Sequence, residues 1–399
     1  MKRLEIKIKL SGKSSTLKHL LYQLSYGNSI SSIKTDMMLS PDEWDGSAAI
    51  VKSYRSETAH YEEYIRADVQ LLYMIASHLK RTRCTDVVGE CIKRFGKEYN
   101  RSGFLSFMMI QIEQMKSLGR MGTANNYLHT LYSFLGFIDG YNLSLGSMSE
   151  ALIAKYSQYL VQKGMKRNSI SFYMRNLRAV YNKAVGQGLL SNNNHPFVSV
   201  YTGVDNTRKR AVKHSVISLL YKLDVFGNYN LQLAKDIFLF SYFTRGMSFV
   251  DIAFLKRTSL KNGYISYYRH KTGQLLNVKV EPAIQNILER YSENSRYYLF
   301  PILVSANYVK AYDEYKVAIN RYNRNLKILS VKLNLEVPLT SYVARHSWAT
   351  TARDSNIPIY VISAALGHTS EKTTRIYLSE IDNRVVDDAS RLVMDLVLV

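Results

Sequence analysis

The chain has 399 residues, of which 46% are hydrophobic, so it is long enough for two or three domains and apolar enough to bury a core. Lysine and arginine total 53 against 32 acidic residues, a formal net charge of +21, which indicates a polyanionic partner. No apolar run approaches the roughly 18 residues of a spanning helix and no signal-peptide core is present, so the sequence predicts a soluble cytoplasmic protein with no membrane partner.

The first 85 residues predict a small strand-rich unit followed by a helix. Residues 4–10 alternate apolar and charged side chains, and residues 29–38 can supply another strand. Ser40-Pro41-Asp42-Glu43-Trp44 is typical of a cap followed by a short helical turn. From residue 60 to residue 80 the apolar side chains recur at helical spacing.

Residues 86–200 are helical in pattern throughout. One apolar stripe runs over residues 127–138 and is stopped by Gly140. Ser149 caps a second helix that Gly164 ends, and a third apolar stripe follows over residues 170–184.

Cationic side chains line the entry and the outer face of this third helix. A solvated helix face is one explanation, and a surface that faces DNA is the other; the net charge favours DNA. The predicted DNA-binding residues, with two more from the linker beyond residue 196, are Lys166, Arg167, Arg175, Arg178, Lys209 and Arg210.

Residues 206–399 are predicted to be mostly helical with one β-hairpin region. The turn dipeptides Asn262-Gly263 and Thr272-Gly273 are flanked by strand-forming residues. At the end of the chain, apolar residues between Val385 and Val397 predict an amphipathic helix, which either covers its own core or docks on a neighbouring subunit.

Three blocks near the C-terminus carry the most specific pattern. They are Ala344-Arg345-His346-Ser347-Trp348-Ala349-Thr350, Ala365-Leu366-Gly367-His368-Thr369 and Thr373-Thr374-Arg375-Ile376-Tyr377. Their order and spacing resemble the catalytic core of the tyrosine recombinase family. The resemblance covers roughly residues 90–399 and is strongest over residues 240–380.

The chemistry of this family explains why these residue types recur together. Nucleophilic attack on a phosphodiester spreads extra negative charge over the nonbridging oxygens, which arginine, lysine and histidine donors stabilise. A phenol with an ordinary pKa near 10 needs a cationic pocket or a base to act as a nucleophile. The leaving 5′-oxygen needs an acid. Because no acidic triad is visible and two cysteines cannot build a zinc site, we expect no metal and no other cofactor.

The resemblance implies a role for each matching residue. Tyr377 matches the nucleophile, which forms a 3′-phosphotyrosyl bond, and Arg345 matches the second family arginine, which clamps the scissile phosphate. His368 matches the later histidine that supports that phosphate. Lys271 lies in the hairpin region where the family places its general acid. His346 is expected to support helix packing.

Two positions depart from the family pattern. Tyr342 stands where the family usually has a histidine, and a phenol cannot serve as a near-neutral acid–base group. If Asp251 aligns with the family's acidic residue, Ser248 occupies the place of the first arginine. Arg245 lies one helical turn earlier, in an Arg-Gly-Met-Ser-Phe-Val-Asp sequence that resembles the Bacteroides branch of phage and conjugative-transposon integrases.

Because of these departures, the roles of Arg245 and Asp251 have alternatives. Arg245 is expected to reach the phosphate from its shifted position; the alternative is a surface arginine at a loop–helix junction. Asp251 is expected to orient an arginine of the site or to cap a helix.

The sequence thus predicts a mostly α fold with small β elements: an arm-type N-terminal domain at 1–85, a helical SAM-like core-binding domain at 86–200 and an α/β catalytic domain at 206–399. The implied function is site-specific recombination through a Holliday junction, for integration or excision of a mobile element. An invertase, a catalytically impaired DNA-binding relative and a type IB topoisomerase are the alternatives. The implied partners are double-stranded DNA, three further copies in a homotetramer and DNA-bending accessory proteins, in a nucleoid-associated bacterial setting.

Overall fold

A computed structural model of the chain describes residues 3–11, 16–52, 55–56, 58–96, 103–190, 194–205, 211–293, 296–368, 370–377, 390–391 and 394–395, with the backbone alone for Ile376 and Tyr377. The chain divides into two compact units, Met1–Asn206 and Thr207–Val399. The predicted boundary at residue 85 inside the first unit stays a prediction. Within the described ranges, no helix is both long enough and apolar enough to cross a membrane.

The first unit begins with a three-stranded antiparallel sheet in the order β1-β2-β3. The strands are β1 (Glu5–Leu10), β2 (Lys18–Tyr26) and β3 (Ser29–Leu39). The predicted strands at both ends of this set are confirmed, whereas β2 has no predicted counterpart because Leu20 and Leu21 are adjacent and blur the alternation. A 3₁₀ turn at Pro41–Glu43 confirms the predicted cap, and a short pair follows, β4 (Trp44–Asp45) with β5 (Ile50–Val51).

Six helices complete the described part of the first unit. They are α1 (Tyr61–Arg81), α2 (Val87–Phe95), α3 (Phe104–Ser117), α4 (Met121–Phe137), α5 (Glu150–Gln162) and α6 (Arg167–Gly186). Helices α1, α4, α5 and α6 confirm helices predicted one by one, whereas α2 and α3 lie in the range predicted to be helical without bounds of their own. Helix α3 is buried on nearly every side, so its sequence lacks the amphipathic period that reveals a surface helix. The sheet is tied to α1 by the Tyr22 hydroxyl, which donates to Asp68 over 2.8 Å.

The second unit contains eight helices and one three-stranded antiparallel sheet in its described residues. The helices are α7 (His214–Lys222), α8 (Tyr229–Phe243), α9 (Phe249–Ala253), α10 (Pro282–Glu289), α11 (Tyr308–Lys332), α12 (Val343–Asp354), α13 (Ile359–Leu366) and α14 (Glu371–Tyr377). The sheet joins β6 (Leu260–Lys261), β7 (Tyr264–Tyr268) and β8 (Leu275–Lys279), which confirms the predicted hairpin.

Helix α8 forms the centre of the second unit. Its apolar residues pack with α11 and α12 in one core, in which the rings of Phe240 and Phe300 meet edge to face at 4.8 Å. Buried Asp236 of α8 accepts hydrogen bonds from Arg290 and Tyr291, which holds the end of α10 in place. This packing fixes the C-terminal end of α8, which leads directly into the loop that contains Arg245 and Gly246.

The predicted C-terminal helix over residues 385–397 lies almost entirely outside the described residues. Lys209 and Arg210 also lie outside them. The fold class is confirmed: the described chain is mostly helical and carries small antiparallel sheets.

Candidate active site

A buried arginine stands at the centre of the site. Arg345 lies in the first turn of α12 and is 3% exposed. Its guanidinium donates to the carbonyl of Gly246 over 2.8 Å and to the carbonyl of Leu366 over 2.5 Å, and it lies 3.0 Å from Nε2 of His368. These contacts join α12 to the loop after α8 and to the end of α13, so the cation is rigidly oriented.

His368 bridges Arg345 to the next helix. The chain turns at Gly367, which ends α13 with a left-handed φ of 64°, and this turn directs the imidazole inward. Its Nδ1 lies 2.9 Å from the hydroxyl of Thr374, which is fully buried in α14. Because a guanidinium can only donate, Nε2 accepts from Arg345 and Nδ1 carries the proton of a neutral ring.

The surroundings of His368 favour this neutral ring. Burial lowers its pKa to about 4, helped by the positive charges of Arg345, Arg269 and Lys271. The site therefore contains a histidine that accepts a hydrogen bond rather than one that carries charge at neutral pH.

We expect the His368 imidazole to titrate near pH 4 in the folded protein. Because the unfolded ring takes up its proton near pH 6.5, the stability linked to His368 is complete above about pH 6.5 and is lost as the pH falls towards about 4. An NMR titration of the histidine ring signals tests this, with His368→Gln to assign the signal. A ring that protonates at its ordinary pKa would contradict the neutral arrangement.

Helix α14 brings Tyr377 to the same part of the unit. Tyr377 is the last residue of this helix, one turn and roughly 4.5 Å of helical rise beyond Thr374. Since Thr374 contacts His368 and His368 contacts Arg345, the backbone at Tyr377 is one helical turn from a residue of this contact chain. The Tyr377 side chain lies outside what the structure describes.

Arg245 and Gly246 form a tight left-handed turn against Arg345. Their φ values are 60° and 74°. A Cβ added to Gly246 would lie 2.8 Å from the Cα of Arg345, so only glycine fits there. Arg245, predicted to reach the site, is half-buried and its Nη1 donates to the carbonyl of Asn277 on β8 over 3.4 Å. Arg245 therefore directly precedes Gly246, whose carbonyl binds the Arg345 guanidinium.

Replacing Gly246 with alanine is expected to lower the free energy of unfolding of the second unit by about 2–4 kcal/mol, through backbone strain and overpacking together. Gly263→Ala is a matched control, because Gly263 has the same φ of 74° with nothing within 4 Å of its added Cβ. That control should cost about 1 kcal/mol, the strain alone. Equal losses in denaturant titrations of the two variants would contradict the close approach to Arg345.

Asp251 links the start of α9 to the hairpin turn. It is 3% exposed, and its carboxylate accepts from the Ser248 hydroxyl over 2.5 Å and from the backbone N–H of His270 over 2.8 Å. Burial acts to raise the pKa of Asp251, but the hydrogen bonds from His270 and Ser248 outweigh it and lower the pKa. Nδ1 of His270 also lies 3.4 Å from the same carboxylate, so the described partners of Asp251 are the Ser248 hydroxyl and both the backbone and the ring of His270.

The other predicted supporting residues lie around Arg345. Ser248 and Tyr342 line a cavity of about 130 Å³ together with Arg345. Tyr342 is 53% exposed and immediately precedes α12. Half-buried His346 faces Tyr342, with the two ring centroids 6.4 Å apart.

The hairpin turn carries one predicted and one missed residue. Lys271 is exposed in the turn between β7 and β8. Arg269, two residues earlier, is 5% exposed and its Nη1 donates to the carbonyl of Gly367 over 2.6 Å. The period-two alternation of β7 buries Ile265 and Tyr267, and its continuation puts Arg269 on the same inward face. That alternation was the signal that could have identified it.

The predicted basic face of α6 is exposed in the first unit. Lys166, Arg167, Arg175 and Arg178 all have exposed side chains. The Arg167 guanidinium stacks on the ring of Tyr201 at 3.9 Å, and Arg178 donates to the Thr202 hydroxyl over 3.0 Å. The segment that leaves α6 thus orders part of this face.

In the part of the chain that the structure describes, no cluster of three or more histidine, cysteine or acidic side chains could hold a metal ion. The site has the chemistry of an anion pocket: fixed cations, a neutral imidazole and a tyrosine carried by an adjoining helix. Such a pocket suits a phosphate group.

Two protein-family profiles match the chain, and together they span more than half of it. The phage integrase SAM-like domain matches residues 103–200, and the phage integrase family matches residues 244–384. No curated protein sequence matches the chain.

Solved structures with a similar fold are recombinases bound to DNA. The XerH site-specific recombinase bound to a palindromic difH substrate has a TM-score of 0.51 at 16% identity, over 80% of this chain and 95% of that one. A lambda integrase tetramer bound to a Holliday junction has a TM-score of 0.50 at 15% identity, over 74% and 86%. The Tn1549 transposon integrase in complex with a circular intermediate DNA has a TM-score of 0.50 at 14% identity, over 72% and 98%. At these identities the likeness is one of fold.

Proposed function

The chain belongs to the phage integrase family of tyrosine recombinases, and from this premise we propose that it cuts and rejoins DNA at specific sites to integrate or excise a mobile element. The observation that carries the proposal is the contact chain from Arg345 through His368 to Thr374, one turn before Tyr377. It supports a phosphate pocket beside a tyrosine nucleophile.

The proposed reaction balances without a metal or nucleotide. The Tyr377 hydroxyl gives up its proton to water, because the nearby cations favour the phenolate, and its oxygen attacks phosphorus. A 3′-phosphotyrosyl bond forms, and the bond to the 5′-oxygen breaks. Arg345 and Arg245 stabilise the charge on the nonbridging oxygens, and His368 holds the Arg345 guanidinium in place. Lys271 gives its proton to the leaving 5′-oxygen, which departs as a hydroxyl. The ester stores the energy that a second 5′-hydroxyl uses for rejoining.

Two rounds of this exchange through a Holliday junction require four active sites, so we propose a homotetramer on double-stranded DNA. DNA-bending accessory proteins and action in the bacterial cytoplasm, at the nucleoid, belong to the same proposal. The arm-type role of residues 1–85 is supported by exposed lysines on one face of the sheet, Lys7, Lys9 and Lys34. The linker cations Lys209 and Arg210 belong to the same proposal as DNA-binding residues.

The test is incubation with a nicked suicide duplex, in which the short strand released on cleavage diffuses away and leaves the protein covalently attached. We expect a covalent complex that forms only on the element's own site. Site-specific binding without a covalent product would favour the impaired relative, to which Ser248 and Tyr342 point. Relaxation of any supercoiled plasmid would favour a topoisomerase.

The gene's surroundings separate an integrase from an invertase. Direct attachment-site repeats that flank mobile-element genes support integration and excision. Inverted repeats around a promoter would instead support inversion by the same chemistry.

Removing a cation from the exposed face of α6 is expected to weaken binding to all DNA sequences alike. If Arg175 neutralises one phosphate, Arg175→Ala lowers the slope of log affinity against log salt by about 0.9, because fewer counterions are released. Lys155→Ala is the control, since it removes one charge from exposed Lys155 on the neighbouring α5. Identical salt slopes for wild type and Arg175→Ala, measured by fluorescence anisotropy, would exclude this face.

A further inference from the structure

The hairpin that carries Lys271 has a well-defined backbone at its turn. The N–H of Arg269 donates to the carbonyl of Gln274 over 2.9 Å, and the N–H of Gly273 donates to the carbonyl of Arg269 over 2.8 Å. Lys271 itself is exposed at the tip. A long, flexible side chain at such a tip reaches a defined point only if the turn is anchored to the rest of the site.

Arg269 is the side chain that ties this turn to the His368 segment. Its Nη1 donates to the carbonyl of Gly367 over 2.6 Å, directly before His368. The fit is close, because a Cβ added to Gly367 would lie 3.3 Å from Cδ of Arg269 and 2.9 Å from Leu276 of β8. Asp251 holds the other side of the turn through the N–H of His270. The turn is therefore anchored between α9 and the end of α13.

We propose that Arg269 is a positioning residue for DNA cleavage: it docks the hairpin on the Gly367 turn, so that Lys271 reaches the leaving 5′-oxygen of the phosphate held by Arg345. This inference rests on the proposed function, in which Lys271 is the general acid. Arg269 acts through the position of Lys271 and does not itself touch the phosphate.

The stability cost of burying the Arg269 cation favours a role for this residue beyond packing. The residue is 5% exposed, and its Nε–H is buried with no hydrogen-bond partner among the described residues. A buried cation with an unsatisfied donor costs stability that an apolar side chain would not. The charge of Arg269 also contributes to the low pKa of His368, which keeps that ring an acceptor for Arg345.

The test compares suicide substrates that carry oxygen or sulfur at the scissile 5′ position. A thiolate leaves without protonation, so sulfur removes the need for a general acid. We expect Lys271→Ala and Arg269→Met to slow single-turnover cleavage of the oxygen substrate by about 100-fold or more and about 10–100-fold respectively. Both should cleave the sulfur substrate within a few-fold of wild type, and Arg269→Lys should recover part of the oxygen rate.

Arg290→Met is the structural control, because Arg290 binds buried Asp236 in the same unit and belongs to no part of the proposed site. Its ratio of sulfur to oxygen rates should match wild type even if its stability falls. Equal slowing of both substrates by Arg269→Met, with Lys271→Ala rescued by sulfur, would overturn the positioning role alone. Failure of sulfur to rescue Lys271→Ala would overturn the general-acid assignment on which it rests.

Discussion

Tyr377→Phe is expected to abolish covalent attachment to DNA while leaving site-specific binding intact. Phenylalanine keeps the ring and removes only the oxygen that attacks phosphorus. Loss of a nucleophile from an active site typically lowers the rate by at least about 10⁴-fold, so no covalent complex should accumulate on the suicide duplex. Denaturing gel electrophoresis measures the adduct, and a native gel measures binding.

Tyr360→Phe is the matched control for this loss. Tyr360 lies on neighbouring α13 and is 65% exposed, and the same change there removes one phenol oxygen without touching the proposed site. Its adduct should form at the wild-type rate. Persistence of the adduct in Tyr377→Phe would show that another residue is the nucleophile.

Replacement of Arg345 is expected to give the second large loss. Its guanidinium is fixed by the carbonyls of Gly246 and Leu366, so no reorganisation is needed when charge develops on a bound phosphate. Loss of one such preorganised donor costs about 10²–10³-fold in rate. Arg345→Lys should be nearly as slow as Arg345→Ala, because an ammonium cannot reproduce the planar, multidentate contacts. Single-turnover cleavage is the measurement.

Arg353→Lys controls for the effect of changing an arginine in the same helix. Arg353 lies at the end of α12 and pairs with Asp354, its sequence neighbour, over 2.7 Å. Its cleavage rate should stay close to that of wild type. A wild-type rate in Arg345→Lys would mean that a single positive charge suffices and that the fixed geometry contributes little.

The parts of the fold that sequence predicted are those with a clear period or a cap. The amphipathic helices α1, α4, α5 and α6 follow from apolar spacing, and the Ser149 side chain caps α5 by accepting from the N–H of Leu152. The bounds of α3 were not predicted because burial on nearly all sides removes the amphipathic period, and β2 was not predicted because two of its apolar residues are adjacent. A local pattern identifies an element only where apolar and polar residues alternate clearly in the sequence, which is not so in α3 or β2.

The site shows the same division. Motif order alone indicated Arg345, His368 and Tyr377, but the contact between Arg345 and His368 depends on how α13 folds back, which no spacing of 23 residues specifies. Arg269 is not among the predicted site residues, because a charged residue at a strand end is usually solvated. The role expected for Asp251, orienting an arginine or capping a helix, stays a prediction; spacing did not indicate its contacts with Ser248 and His270. Long-range contacts of this kind require the folded chain.

The most direct test of the central claim is to identify the atom that carries the DNA. Covalent complexes trapped on the suicide duplex can be digested with protease and nuclease, and the nucleotide-bearing peptide sequenced by mass spectrometry. We predict that this peptide contains Tyr377, with the 3′-phosphate of the nucleotide esterified to the phenol oxygen. The released strand should carry a free 5′-hydroxyl. A nucleotide on any other residue, or attachment through a 5′-phosphate, would contradict the proposed mechanism.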